Sequence, residues 1–173
     1  SAIKYYERIL RLLGPDITQE NNHVYVNLAV ANLKKGNYEN ALQYNLKNIN
    51  FLESLDEKKQ TMLLAMSYNN TAENFRHIGN LEKAMEYNFK AIKIFESNEQ
   101  WQGNLELATV YNNLSNSYSS LGKNKISLEY GLKATNIRET VLNDKHPLLA
   151  QSFNNLGVDY EKLGNLKKSL EFH

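Results

Sequence analysis

Cysteine is absent from this 173-residue chain. Disulfides, thiolate nucleophiles and cysteine-based metal sites are thereby excluded, and the lack fits a reducing compartment. An excess of either charge sign is missing too: 20 Lys and Arg stand against 19 Asp and Glu, for a formal net charge of +1. A broad basic surface for nucleic acid or an anionic membrane is therefore not indicated. There are two prolines, so little interrupts helix formation. No apolar run approaches the roughly 20 residues of a membrane span, and residues 1–13 read as a helix rather than a signal peptide. A cytoplasmic location is the expectation. Chemistry is missing as well. The chain has no Gly-rich phosphate loop, no His-Glu-x-x-His helix and no nucleophile elbow. Its four histidines, His23, His77, His146 and His173, are scattered, whereas a metal site needs them clustered. No catalysis, cofactor or metal is expected.

What the chain does have is a period. Gly36, Gly79, Gly122 and Gly164 lie 43, 43 and 42 residues apart. The residues around them recur: Tyr25-Val26-Asn27-Leu28-Ala29 before Gly36, Tyr68-Asn69-Asn70-Thr71-Ala72 before Gly79, Tyr111-Asn112-Asn113-Leu114-Ser115 before Gly122, and Phe153-Asn154-Asn155-Leu156-Gly157 before Gly164. A second aromatic follows at Phe75, Tyr118 and Tyr160, with Asn32 in its place in the first unit. A fixed period of this length marks a solenoid of one repeated supersecondary unit.

Each unit reads as a helix–turn–helix. Aromatic, apolar and aromatic positions three and four apart form one helical face. The small residue between them (Ala29, Ala72, Ser115, Gly157) lets a neighbouring helix come close. The glycine suits a left-handed cap, and Asn37, Asn80 and Asn165 are placed to cap the next helix. Lys123 breaks that pattern. The second helix carries its own small residue at the crossing: Ala41, Ala84, Ser127 and Ser169. Ala2, 39 residues before Ala41, places residues 1–18 as the second half of an earlier unit. The expected units are 1–18, 19–58, 61–103, 104–145 and 146–173, in a single array. Both ends read as cut, so exposed terminal faces are available for homo-oligomers. Pro147 suits a first helical turn, His146 reads as a helix-entry residue, and Trp101 reads as packing under its link, with a partner anchor as the alternative.

These motifs resemble the tetratricopeptide repeat over essentially the whole chain. The family's common unit has 34 residues; the longer unit here is similar to repeats of kinesin light chains, of spindle-orientation adaptors and of bacterial regulatory arrays. Asn143-Asp144-Lys145-His146-Pro147 looks like a linker of the kinesin light chain type. The resemblance implies an all-α, right-handed superhelix of about four and a half hairpins, with the first helices lining a concave groove. It implies an adaptor or scaffold that binds an extended peptide segment of a partner protein. Similar arrays also serve as regulatory arms of sensor kinases and caspase-like proteases, or as structural spacers.

Within the implied groove one column is uniform: Asn27, Asn70, Asn113 and Asn155. A side-chain amide both donates and accepts, so such a ladder can pair with peptide backbone. The alternative is that these amides bind water or the adjacent helix; asparagine fills about one position in seven here. Asn69 and Asn112 echo the column one residue earlier, and Asn116 and Gln151 line the same side. Lys34 and Arg76, with His77, gather positive charge that would favour an acidic or phosphorylated peptide, against the alternative of an ordinary solvated face. A chaperone-type clamp on a terminal carboxylate is not expected: its basic and amide places hold Val26, Val30, Asn70, Thr109 and Asn113, of which Asn70 alone matches.

Overall fold

The computed structural model describes residues 2–14, 16–55 and 61–172. The expected unit boundaries at residues 1, 58 and 173, and His173 itself, lie outside the described residues. Among those described, the regular structure is helical: α1 (Ala2–Leu13), α2 (Asn22–Lys34), α3 (Tyr38–Ser54), α4 (Met62–Ile78), α5 (Leu81–Glu96), a 3₁₀ turn (Glu99–Trp101), α6 (Leu105–Ser120), α7 (Asn124–Val141), α8 (Pro147–Lys162) and α9 (Leu166–Phe172). Two compact units are present, Ser1–Lys90 and Ala91–His173, and the division falls inside α5.

In the first unit α2 pairs with α3, and α4 with the start of α5; in the second, α6 pairs with α7 and α8 with α9. The pairs close at the repeat glycines, whose φ values are +77°, +87°, +71° and +77°. In each turn the residue after glycine donates to the carbonyl at the second aromatic position: Asn37 to Asn32, Asn80 to Phe75, Lys123 to Tyr118 and Asn165 to Tyr160, at 2.8–2.9 Å. These bonds satisfy carbonyls that a helix end leaves open.

Caps differ between turns. Asn80 Oδ1 accepts from the Lys83 amide and Asn165 Oδ1 from the Lys168 amide, both at 3.1 Å. Asn37 does not cap α3. Its amide donates instead to Asn32 Oδ1 at 3.3 Å. Asn32, buried where the other units carry an aromatic, offers a polar partner that Phe75, Tyr118 and Tyr160 lack. Lys123 makes no side-chain cap. At the start of α8, His146 Nδ1 accepts from the Leu148 amide at 3.2 Å and Pro147 opens the helix. Trp101 packs edge-on against Phe95, with ring centroids 6.5 Å apart.

The small residues are buried at the crossings: Ala29, Ala72, Ser115 and Gly157 on first helices, Ala41, Ala84, Ser127 and Ser169 on second ones. Beside each crossing an aromatic of the second helix meets the aromatics of the first. Tyr44 meets Tyr25 at 6.2 Å between centroids. Tyr87 meets Tyr68 and Phe75 at 5.9 and 5.5 Å. Tyr130 meets Tyr111 and Tyr118 at 6.0 and 5.8 Å. Phe172 meets Phe153 and Tyr160 at 5.9 and 5.5 Å. Such contacts are worth about 0.5–1.5 kcal/mol each beyond area burial.

Consecutive hairpins are joined by a second recurring contact. The Tyr68 hydroxyl donates to Glu53 and the Tyr111 hydroxyl to Glu96, each at 2.5 Å. Both phenols are pushed well above their ordinary range, by burial first and by the bonded carboxylate second. In the following repeat Phe153 and Glu139 stand at these places, and Phe153 has no hydroxyl. Arg138 joins that link instead. It is buried and donates to the Leu148 carbonyl at 3.2 Å and to Ser152 Oγ at 2.7 Å. Its position is that of Leu52 and Phe95, which are buried core residues in the earlier repeats.

Two substitutions check this account. A Cβ on Gly79 would meet nothing within 4 Å, so the cost of Gly79→Ala is backbone strain alone. It is expected to lower unfolding free energy by about 1 kcal/mol; unchanged urea unfolding would mean the left-handed turn is not required. Phe153→Tyr restores the hydroxyl of Tyr68 and Tyr111, with Glu139 at the repeat position of their acceptors, and is expected to raise stability by about 0.5–1 kcal/mol, again read from urea unfolding.

Candidate functional site

The first helices present one row of side chains in each unit. In the first unit Asn27 on α2 and Asn70 on α4 are half-buried, and Asn69 is buried beside Asn70. Among the described residues neither the Asn27 nor the Asn70 side-chain amide makes a hydrogen bond; the Asn70 main-chain carbonyl accepts from Asn74 Nδ2 at 3.1 Å. Arg76 is not an isolated cation. Its Nη2 lies 3.2 Å from His77 Nε2 and 3.9 Å from Glu73 Oε1. His77 in turn lies 3.7 Å from Glu73 and stacks on the Tyr38 ring at 4.7 Å. Lys34 is exposed at the end of α2 and lines a separate cavity of about 380 Å³ with Asn27, Val30, Ala2, Ile3 and Tyr6.

In the second unit Asn112 is buried, Asn113 and Asn116 are half-buried on α6, Asn155 is half-buried on α8, and Gln151 is exposed. The structure brings three of these together. Asn155 Nδ2 donates to Asn112 Oδ1 at 3.1 Å and to Asn116 Oδ1 at 3.4 Å. Further along, Lys162 Nζ donates to Ser119 Oγ at 2.7 Å. Asn155 and Asn112 are 43 residues apart, and so are Lys162 and Ser119. Two contacts at one offset mean that α8 runs parallel to α6 and in repeat register. The Asn155 Nδ2 thus has two acceptors on the adjacent helix. The residues equivalent to Asn112 and Asn116 in the first repeat are Val26 and Val30, which offer Asn70 no such partners.

Beneath this row lies a buried polar contact. Asp159 on α8 is 2% exposed, and Ser127 Oγ of α7 stands 2.6 Å from its Oδ2. Ser127 is also 2.9 Å from the Ser115 carbonyl of α6. Burial pushes the Asp159 carboxyl above its ordinary range, opposed by hydrogen bonds from Ser127 and Ser119 and by the charge of Lys162. Sequence reasoning missed Asp159 and the Tyr–Glu contacts. The latter had a signal: Glu53 and Glu96, like Tyr68 and Tyr111, are one repeat apart. Asp159 had none, since Ser117 and Asn74 hold its place in the preceding repeats.

A tetratricopeptide repeat family model matches residues 106–173, and a second matches residues 23–47. The chain belongs to the tetratricopeptide-repeat family. Solved structures agree on the all-α solenoid fold. BtubC (BKLC) from P. vanneervenii is 22% identical, with a TM-score of 0.83 over 96% of this chain and 67% of that one. MamA is 18% identical, with a TM-score of 0.69 over 98% and 81%. TPR-like repeats attributed to a Podosopora anserina kinesin light chain are 15% identical, with a TM-score of 0.70 over 98% and 81%. At these identities the likeness carries the fold alone. No curated protein matches the sequence. A tetratricopeptide array is a scaffold fold for protein–protein contact. No described helix is long and apolar enough to cross a membrane.

The buried carboxyl of this array makes a pH prediction. A carboxyl held above its unfolded value of about 3.9 binds its proton more tightly in the folded state. Its contribution to stability therefore declines as pH rises out of the acid range through the raised value, and is flat above it. Asp159→Asn keeps an oxygen for Ser127 and lacks that decline. Urea unfolding at several values from about pH 4 to about pH 7 is expected to show the wild type losing stability relative to the variant. Parallel curves would mean that Asp159 titrates as it does unfolded.

Proposed function

We propose that the array is an adaptor that holds an extended peptide segment of a partner protein against its first-helix surface. The observation that carries this reading is the Asn70 amide. It is half-buried on α4, makes no side-chain hydrogen bond among the described residues, and has Val26 and Val30 at the places where Asn155 finds Asn112 and Asn116. An open amide beside apolar side chains suits a peptide backbone: the amide pairs with one N–H and one C=O, and the apolar flank takes a side chain.

The other members of the column rank behind it. Asn27 belongs to the cavity between α1 and α2. Asn155 commits its Nδ2 to Asn112 and Asn116, so it offers a peptide its Oδ1 and not a full amide pair. Asn113 faces a partner as part of the second unit's own surface, with Asn116 beside it and Gln151 on α8. Asn69 and Asn112 are buried and support their neighbours. Arg76 and Lys34 are secondary contacts, and Glu73 offsets much of the Arg76 charge.

Selection from a library of displayed unstructured peptides, followed by affinity measurement, tests the reading. Asn70→Ala is expected to weaken a selected peptide about tenfold, as loss of a paired amide of about 1–1.5 kcal/mol requires. Asn155→Ala is expected to change affinity less. Circular dichroism must show both variants folded. If no peptide is retained, or if Asn70→Ala binds as the wild type does, the groove reading fails.

A further inference from the structure

We propose that Asn116 on α6 and Lys162 on α8 form a subsite for one acidic side chain of the bound peptide. This rests on the extended-peptide reading above and adds the side-chain chemistry that the second unit selects. Each of the two donors is oriented by a partner already in place. Lys162 Nζ donates to Ser119 Oγ at 2.7 Å. The Ser119 hydroxyl gives its own proton inward to the Asp159 carboxylate, which is 2% exposed. Toward Lys162, Ser119 is therefore an acceptor. A lysine ammonium has three donors, so two remain. Among the described residues Lys162 makes no ion pair, in contrast with Arg76, which has Glu73 on its own helix. Asn116 is held in a similar way. Its Oδ1 accepts from Asn155 Nδ2 at 3.4 Å, and its Nδ2 makes no hydrogen bond among the described residues. The residue is half-buried, so a ligand acceptor satisfies a donor that water reaches only in part.

Asn116 and Ser119 are three residues apart on α6 and so share one helical face. Lys162 Nζ, bonded to Ser119, stands about one turn from the Asn116 amide. Two donors at that spacing, one of them a full positive charge, match the two acceptor oxygens of a carboxylate. Asn155, held against Asn116, has its Oδ1 for a main-chain N–H of the same peptide. Two acids of the chain itself are near, and neither fills this role. Glu161 projects about 100° round α8 from Lys162. Asp159 lies beneath Ser119, where burial works against its charge. The first unit has no counterpart to the subsite: Val30 and Leu33 hold the positions of Asn116 and Ser119 and supply no donor. An acid is therefore selected by the second unit, and an apolar side chain by the first.

The test is selection from displayed random peptides, each fused at its C-terminus so that no terminal carboxylate is free. Peptides retained by the wild type are expected to carry Asp or Glu at one register. A retained peptide is then synthesised with an amidated C-terminus, alongside a version in which that acid is replaced by its amide. The replacement is expected to weaken binding to the wild type about fivefold and to change binding to Lys162→Gln little. Lys162 is exposed, so folding is retained, and circular dichroism verifies it. Asn116→Ala is the second variant and is expected to shrink the same acid-to-amide difference. Retained peptides with no acid at a common register overturn the subsite. So does an acid-to-amide cost that is equal on the wild type, Lys162→Gln and Asn116→Ala. In both cases peptides are still retained, so the extended-peptide reading stands while the subsite falls. If no peptide is retained, both fall.

Discussion

Close approach of two helices at a pair of small side chains is the constraint from which the rest of this structure follows. Where Ala72 crosses Ala84, or Ser115 crosses Ser127, the backbones come near enough for large aromatics on either side of the crossing to interlock. A larger residue at the crossing would separate the helices and open the aromatic contacts together. The glycine turn serves the same end. A left-handed residue ends the first helix within one turn of its last aromatic, so the second helix starts at once and folds back over that face. Neither helix of a pair has enough apolar surface to be stable alone. Stability comes from each hairpin and from its contacts with the next.

Polar groups are spread through this interior. Asn48 donates to Ser67, Arg138 to Ser152, and Ser127 faces Asp159. Each joins a second helix to the following first helix. Such contacts are directional, so they hold register between hairpins where aliphatic packing would allow sliding. They also leave debts. Oδ1 of Asn48, Asn74 and Asn88 and Nε of Arg138 are buried with no hydrogen-bond partner among the described residues. Asn74 occupies the repeat position of Asp159, and the residue equivalent to Ser127 one hairpin before it is Ala41, which has no hydroxyl to offer.

The surface carried by the first helices follows from the same geometry. Residues one turn from the buried face are half-buried, with their polar ends at the surface, and neighbouring first helices set which of them are already occupied. That is why four asparagines at one repeat position do not behave alike. Asn155 has two amide acceptors across from it, and Asn70 has two valines at the same places. The positive charge near Arg76 is reduced for a similar local reason, since Glu73 lies on the same helix three residues earlier.

Much of this protein was legible from sequence. The period, the helix–turn–helix unit, the left-handed glycines and the small crossing residues are statements about local conformation and helical phase, and those are set by residue type and spacing. Two of the three asparagine caps followed from the same rules; Asn37 did not, because Asn32 lies five residues earlier and on the preceding helix. The state of the asparagine column and the burial of Asp159 and Arg138 were decided by tertiary structure alone. Each depends on what the next helix places opposite, and a hydrogen bond across repeats is fixed by distance and not by composition.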